Sequence, residues 1–192
     1  MQPSLSSSYC IAKPIGFGFY ALAFCLLLGL LGRPALASSA EEAKFEPHSR
    51  SHFLLREVSR PINWFEARTM AEQMEHNGVK GRLAMVHEAP IHLFLEESFA
   101  LDAPAWIGLR YWCPLQKAKW TNGDDHERRR LNAWAEPWYD EEIGHCAGRS
   151  GRAVKGYMPV YYLTQEDGFR WRAATLKVSL NHFFVEFPAD EQ

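Results

Sequence analysis

From Pro104 onward the chain stops reading as helix. Short aromatic and branched segments follow one another: Trp106-Ile107-Gly108-Leu109, Lys119-Trp120-Thr121, Val160-Tyr161-Tyr162-Leu163, Phe169-Arg170-Trp171, and Asn181 to Phe187. Clusters of Gly, Pro and Asp separate them, which is the pattern of an antiparallel β region with long loops. Between Asn122 and Pro159 lies a stretch with little strand or helix signal, rich in Trp, Tyr, Gly and charge. A loop of that length is uncommon unless it is functional or pinned by packing or a disulfide. Ahead of Pro104 the periodicity differs. Phe53, Leu54, Leu55 and Val58 form a short β-like run ended by Arg60-Pro61. Asn63 offers an N-cap, and Trp64, Ala67, Met70, Ala71 and Met74 recur at three- and four-residue spacing, so an amphipathic helix is expected until Asn77-Gly78 stops it. Leu83 to Val86 reads as a buried strand or turn. Glu88-Ala89-Pro90 then opens a second helix with Ile91, Phe94, Leu95 and Phe99 on one face. Two helices followed by a loop-heavy strand region give the α+β class.

The N-terminus has a separate character. Lys13 is the only charge before the apolar run Ile15 to Leu31, and Arg33, Pro34 and Ala35-Leu36-Ala37 follow. Residues 1–37 are therefore expected to be a signal peptide cleaved after Ala37. The alternative is an uncleaved anchor, because residues 15–31 lie at the lower edge of what spans a bilayer of roughly 30 Å. Residues 38–47 read as a flexible lead-in and residues 48–192 as one domain. Secretion, or an extracytoplasmic position with membrane attachment through residues 15–31, follows. Loss of Lys13 and Arg33 with the signal moves the net charge from −2 to −4, which does not favour nucleic acid. Arg128-Arg129-Arg130 is flanked by Asp124, Asp125 and Glu127 and reads as a solvated turn. Cys10 and Cys25 would leave with the signal, and the remaining even pair, Cys113 and Cys146, is expected to form a disulfide in an oxidising compartment.

Local motifs narrow the fold further. Trp64-x-x-Ala67, Gly81-Arg82-Leu83-Ala84-Met85-Val86, Phe94 with Glu97, Trp106-Ile107-Gly108-Leu109, Trp120-Thr121-Asn122-Gly123, Trp134-Ala135-Glu136-Pro137, Gly168-Phe169-Arg170-Trp171 and Phe184-Val185-Glu186-Phe187-Pro188 occur in that order. Together they resemble the C-type lectin-like domain. The resemblance implies two helices, small antiparallel sheets and a long irregular loop region. It also implies two disulfides, and at the corresponding positions this chain has Ala71 and Val185 for one and Leu176 and Tyr161 for the other. Cys113 and Cys146 would then form a bridge foreign to the family; alternatively Cys146 is the family's loop cysteine, left free.

In sugar-binding members of the family, calcium is held by Glu-Pro-Asn in the long loop and Asn-Asp after the later tryptophan. Here the loop reads Glu136-Pro137-Trp138 and the later pair is Arg172-Ala173. Calcium wants several hard oxygen ligands, so no calcium site of that kind is expected, and no other cofactor. Asp140, Glu141 and Glu142 read as a solvated acidic turn. His87-Glu88-x-x-x-His92 has one residue too many for two imidazoles to share a helical face, and Pro90 interrupts it. No motif supports an enzyme. Of the aromatics around the long loop, Trp112, Trp134, Trp138, Tyr139 and Tyr157, most read as core, Trp134 above all, whereas Trp138-Tyr139, replacing a metal ligand beside an Arg, points to recognition. Glu136, Trp138, Tyr139 and Arg172 are the expected contacts, with Trp138 and Tyr139 at an exposed face. The expected ligand is a protein or another partner at the cell surface, held without calcium. The alternatives are a calcium-independent carbohydrate binder that stacks sugars on Trp138 or Tyr139, and a structural domain of a surface assembly.

Overall fold

The computed structural model of the chain describes residues 42–139, 146 and 156–189. The expected signal segment 1–37 and the acidic run at 140–142 lie outside the described residues. Among those described, no helix is long and apolar enough to cross a membrane. In chain order the elements are β1 (Lys44–Glu46), β2 (Ser51–Ile62), α1 (Trp64–Gln73), β3 (Glu75–His76), β4 (Val79–Lys80), β5 (Arg82–Leu83), α2 (Ala89–Ser98), β6 (Ala105–Trp112), β7 (Lys117–Trp120), β8 (Trp134–Tyr139), β9 (Tyr157–Tyr162), β10 (Trp171–Ala173) and β11 (Leu180–Phe187).

Both helices form, but α1 ends at Gln73: Met74 is extended and Glu75–His76 pairs with Val79–Lys80, so Asn77-Gly78 turns a hairpin instead of stopping the helix. Asn63 accepts from the backbone of Phe65 and Glu66 while Glu66 accepts from the Asn63 N–H, a reciprocal cap that fixes the start of α1. Its stripe buries Trp64, Ala67 and Ala71. In α2, Pro90 occupies the first turn, and Ile91 and Leu95 face the core.

The strands join in the order β1-β2-β11-β6-β9-β10-β8, with β5 added on β11 and β7 on β6. Two contacts are parallel, β11 with β6 and β10 with β8, so the region is less uniformly antiparallel than its short hairpin-like segments suggest. Three further boundaries differ from expectation. The lead-in is shorter, because Lys44–Glu46 pairs with β2 and Glu46 is buried, its carboxylate accepting from the backbone N–H of His48 and Ser49. β2 runs through Arg60-Pro61 to Ile62; Pro61 is exposed and lies opposite an irregularity between Leu180 and His182, where no ladder donor is required of it. The long featureless stretch contains β8, an edge strand carrying Pro137.

Two clusters of buried side chains hold the fold. One gathers Phe53, Ile107, Leu109, Trp120, Tyr162, Phe169, Trp171 and Phe184; the other gathers Ile62, Trp64, Ala71, Trp106, Phe183 and Val185. Trp64 Nε1 donates to Ile107 O at 2.7 Å and Trp106 Nε1 donates to Ile62 O at 3.0 Å, so these two indoles are buried at no polar cost. Ala71 and Val185, which stand where the family resemblance places one disulfide, are fully buried in the second cluster. They close on Gly81, where an added Cβ would lie 2.6 Å from Ala71 O and 2.9 Å from Val185 Cγ1. The other replaced pair does not pack in this way: Tyr161 is buried, but Leu176 is 49 % exposed. Cys113 and Cys146 form a disulfide with their Cα atoms 5.5 Å apart. Glu186 is 4 % exposed and accepts from Arg82 Nε and Nη2, at 3.1 and 2.9 Å, and from Met85 N at 2.9 Å. It ties β11 to the segment that follows β5.

Candidate functional site

The site is built at the free edge of the sheet, where β8 runs beside β10. Trp171 pairs with Trp134 and Ala173 with Tyr139, so between the two pairings β10 advances two residues and β8 five. The surplus bulges outward and leaves Glu136 and Pro137 exposed, with a cis peptide between them. Trp171 N donates to Ala133 O at 2.7 Å and pins the start of the bulge. A cleft of about 310 Å³ opens there, lined by Arg128, Asn132, Trp134, Glu136, Pro137 and Trp138. The two indoles meet edge to face, centroids 5.7 Å apart at 74°. Arg170 Nη1 donates to Asn132 O at 3.5 Å and borders the same loop.

The four contacts named from the sequence do not converge. Glu136 and Trp138 line the cleft. Trp138 is half-buried rather than displayed, because its ring packs on Tyr111 at 4.5 Å and on Tyr139 at 5.2 Å. Tyr139 is likewise half-buried against the first cluster. Arg172 lies between Trp171 and Ala173, both of which point into that cluster, so pleat alternation turns it to the opposite face, beside its partner Tyr161. It does not line the cleft, and its Nε is buried without a hydrogen-bond partner. Sequence reasoning missed Arg128 and Asn132 and assigned Trp134 to the core. The signal available was their position just ahead of Trp134-Ala135-Glu136-Pro137, but whether Arg128 faces the cleft depends on how the 121–133 segment folds back.

The calcium ion implied by the family resemblance does not fit these residues. In the cleft, Glu136 and Asn132 supply the side-chain oxygens, Arg128 brings a positive charge, and Trp138, Arg172 and Ala173 offer no oxygen where the family has ligands. His87, just ahead of α2, and His92, within its first turn, are also engaged separately. His92 Nδ1 is 2.7 Å from the Tyr162 hydroxyl, while the His87 ring packs against Trp120 at 4.8 Å. Burial, then Arg170, lowers the His92 pKa to about 4. His126, wedged between Trp120 and Trp171, is also held at about 4, by burial and then by His87. Among the described residues no group of three His, Cys, Asp or Glu converges as a metal site.

No protein-family model matches the chain, and no curated protein matches it in sequence. Solved structures do match. The Ca2+-independent C-type lectin SPL-2 from Saxidomus purpuratus is 16% identical, covering 73% of this chain and 88% of its own, with a TM-score of 0.52. The human scavenger receptor C-type lectin carbohydrate-recognition domain is 14% identical, covering 71% of this chain and 92% of its own, with a TM-score of 0.51. Its mouse counterpart is 14% identical over 72% and 92%, with a TM-score of 0.50. The chain has the C-type lectin-like fold, as its ordered motifs lead one to expect.

Proposed function

We propose that the domain is a non-catalytic, extracytoplasmic recognition module that binds carbohydrate without calcium in the β8 cleft. The observation that carries this reading is the composition of the cleft. Two indole rings stand beside a carboxylate, an amide and a guanidinium. The apolar C–H face of a sugar ring stacks on an indole, and its hydroxyls, each both donor and acceptor, need both kinds of partner. Glu136 accepts, Arg128 donates and Asn132 does either, so a ring can be oriented with no metal bridging it. The similarity in fold to a lectin described as Ca2+-independent supports the same reading.

A protein ligand, the first expectation from the sequence, becomes the second reading. Trp and Arg in one recess are typical interface anchors, which favours it. However, Arg172 faces away and Trp138 is half-buried, leaving less displayed surface than a protein interface uses. A glycan array probed with and without chelator tests the proposal. Binding that chelator leaves unchanged and that Glu136→Ala weakens at least tenfold is expected. An array with no bound glycan, or binding that chelator abolishes, overturns it. Glu136 is exposed, so its replacement reports on contact rather than on folding.

A further inference from the structure

The β8 cleft is unevenly charged. Arg128, Asn132 and Glu136 line it and all three residues are exposed, so each can reach a molecule that enters. Arg128 and Glu136 share the walls of one recess without closing an ion pair, and among the described residues neither pairs with any other charge. The acids closest to Arg128 in the chain are taken. Asp125 holds Lys117 at 3.2 Å and Lys119 at 2.8 Å, and Glu127 holds Arg130 at 3.2 Å. Arg170, exposed and donating to Asn132 O, adds a second guanidinium at the border of the cleft. Two guanidiniums thus stand against the single carboxylate of Glu136, and the recess is net positive.

That imbalance selects among sugars. A neutral ring can satisfy Glu136 and Asn132 through its hydroxyls, but it gives Arg128 only an uncharged acceptor. A carboxylate accepts from a guanidinium through two parallel, charge-assisted bonds, the stronger arrangement. Volume sets the size of the ligand. The cleft of about 310 Å³ lies at the lower end of small-ligand sites, which run from roughly 300 to 1,000 Å³, and suits one ring rather than a chain. A sugar acid whose carboxylate is borne by the ring itself meets both conditions. It presents the anion at one end and hydroxyls at the other, as walls that keep Arg128 and Glu136 apart require. A sulfated polymer suits the recess less well, because such chains follow runs of free cations and Arg130 is already held by Glu127 and Glu88.

We propose that the sugar taken by the β8 cleft is a hexuronic acid. Its carboxylate accepts from Arg128, its ring hydroxyls meet Glu136 and Asn132, and its C–H face lies on the indoles. The assignment rests on the carbohydrate reading above and narrows that reading to acidic sugar residues.

The test titrates the full 15N-labelled chain, with chelator present, and follows the Trp134 and Trp138 indole resonances by NMR. The probes are the methyl glycosides of glucuronic, galacturonic and mannuronic acid, each beside its methyl ester, which keeps the ring and removes the charge. At least one acid is expected to bind tenfold or more tightly than its ester. Arg128→Gln is expected to bring that ratio within twofold, its spectrum reporting that the domain remains folded. Esters that bind as well as their acids overturn the proposal and leave the sugar reading standing, as does a neutral glycan that binds on the array while no uronic acid moves either indole. A preference for the acid that survives Arg128→Gln, or galactose 6-sulfate binding more tightly than every uronic acid, also overturns it. Silence from every probe together with an empty array removes both readings.

Discussion

Replacing Gly108 by Ala tests whether the close approach of β6 to the segment after β5 holds the fold together. The added Cβ would lie 2.7 Å from Leu83 O and 3.1 Å from Ala84 O, both backbone atoms. Neither carbonyl can retreat easily. Gly108 N donates to Ala84 O at 2.8 Å, Ala84 N donates to Phe184 O at 2.9 Å, and Leu83 pairs with Val185 in β11. The clash is therefore relieved by moving a strand rather than by turning a side chain, which places the cost near the top of the usual overpacking range, about 3 kcal/mol. For a domain of this size that corresponds to a fall in Tm of roughly 6–12 °C. Urea unfolding followed by tryptophan fluorescence measures the loss directly, with Gly156→Ala as the control. Among the described residues nothing lies within 4 Å of a Cβ at Gly156, so that change is expected to stay within about 0.5 kcal/mol of the wild type. A Gly108→Ala protein less than about 1 kcal/mol below wild type would refute the close-packing account.

Two further outcomes follow from buried polar groups. Glu186→Ala strands Arg82 and the Met85 N–H, and because the Arg82 side chain is 34% exposed the expected loss is about 2–4 kcal/mol, slightly below that for a fully enclosed pair, read from the same urea curves. His92 and His126 have folded pKa values near 4, below the ordinary histidine value, so the unfolded chain binds more protons between about pH 6.5 and 4. Stability is then expected to be full above that window and to decline as pH falls through it, with His126→Gln flattening the decline in denaturation midpoints taken at pH 7, 5 and 4.

The parts of this fold that could be read from the sequence are those fixed by neighbours in the chain. The α1 stripe and its Asn63 cap need only a four-residue horizon, and Trp106 to Leu109 declares a buried strand by composition. β8 could not be read in this way. It carries Pro137, lies at an edge, and takes its register from β10, more than thirty positions on. The candidate contacts show the same limit. Glu136 and Trp138 are adjacent to a recognisable motif, whereas the direction of Arg172 is decided by the parity of a three-residue strand, between the Trp171–Tyr162 and Ala173–Val160 pairings.

The antiparallel pairing of β2 with β11 also determines how the domain bears load. His52 lies opposite Phe187 at one end of that ladder, so the chain arrives and departs at neighbouring points. A pull applied between these two points separates the ladder rung by rung from that end, in the manner of a zipper, instead of shearing all its hydrogen bonds together. Tension along the polypeptide would therefore open this sheet at its seam while the strands around β6 and β9 carry none of it.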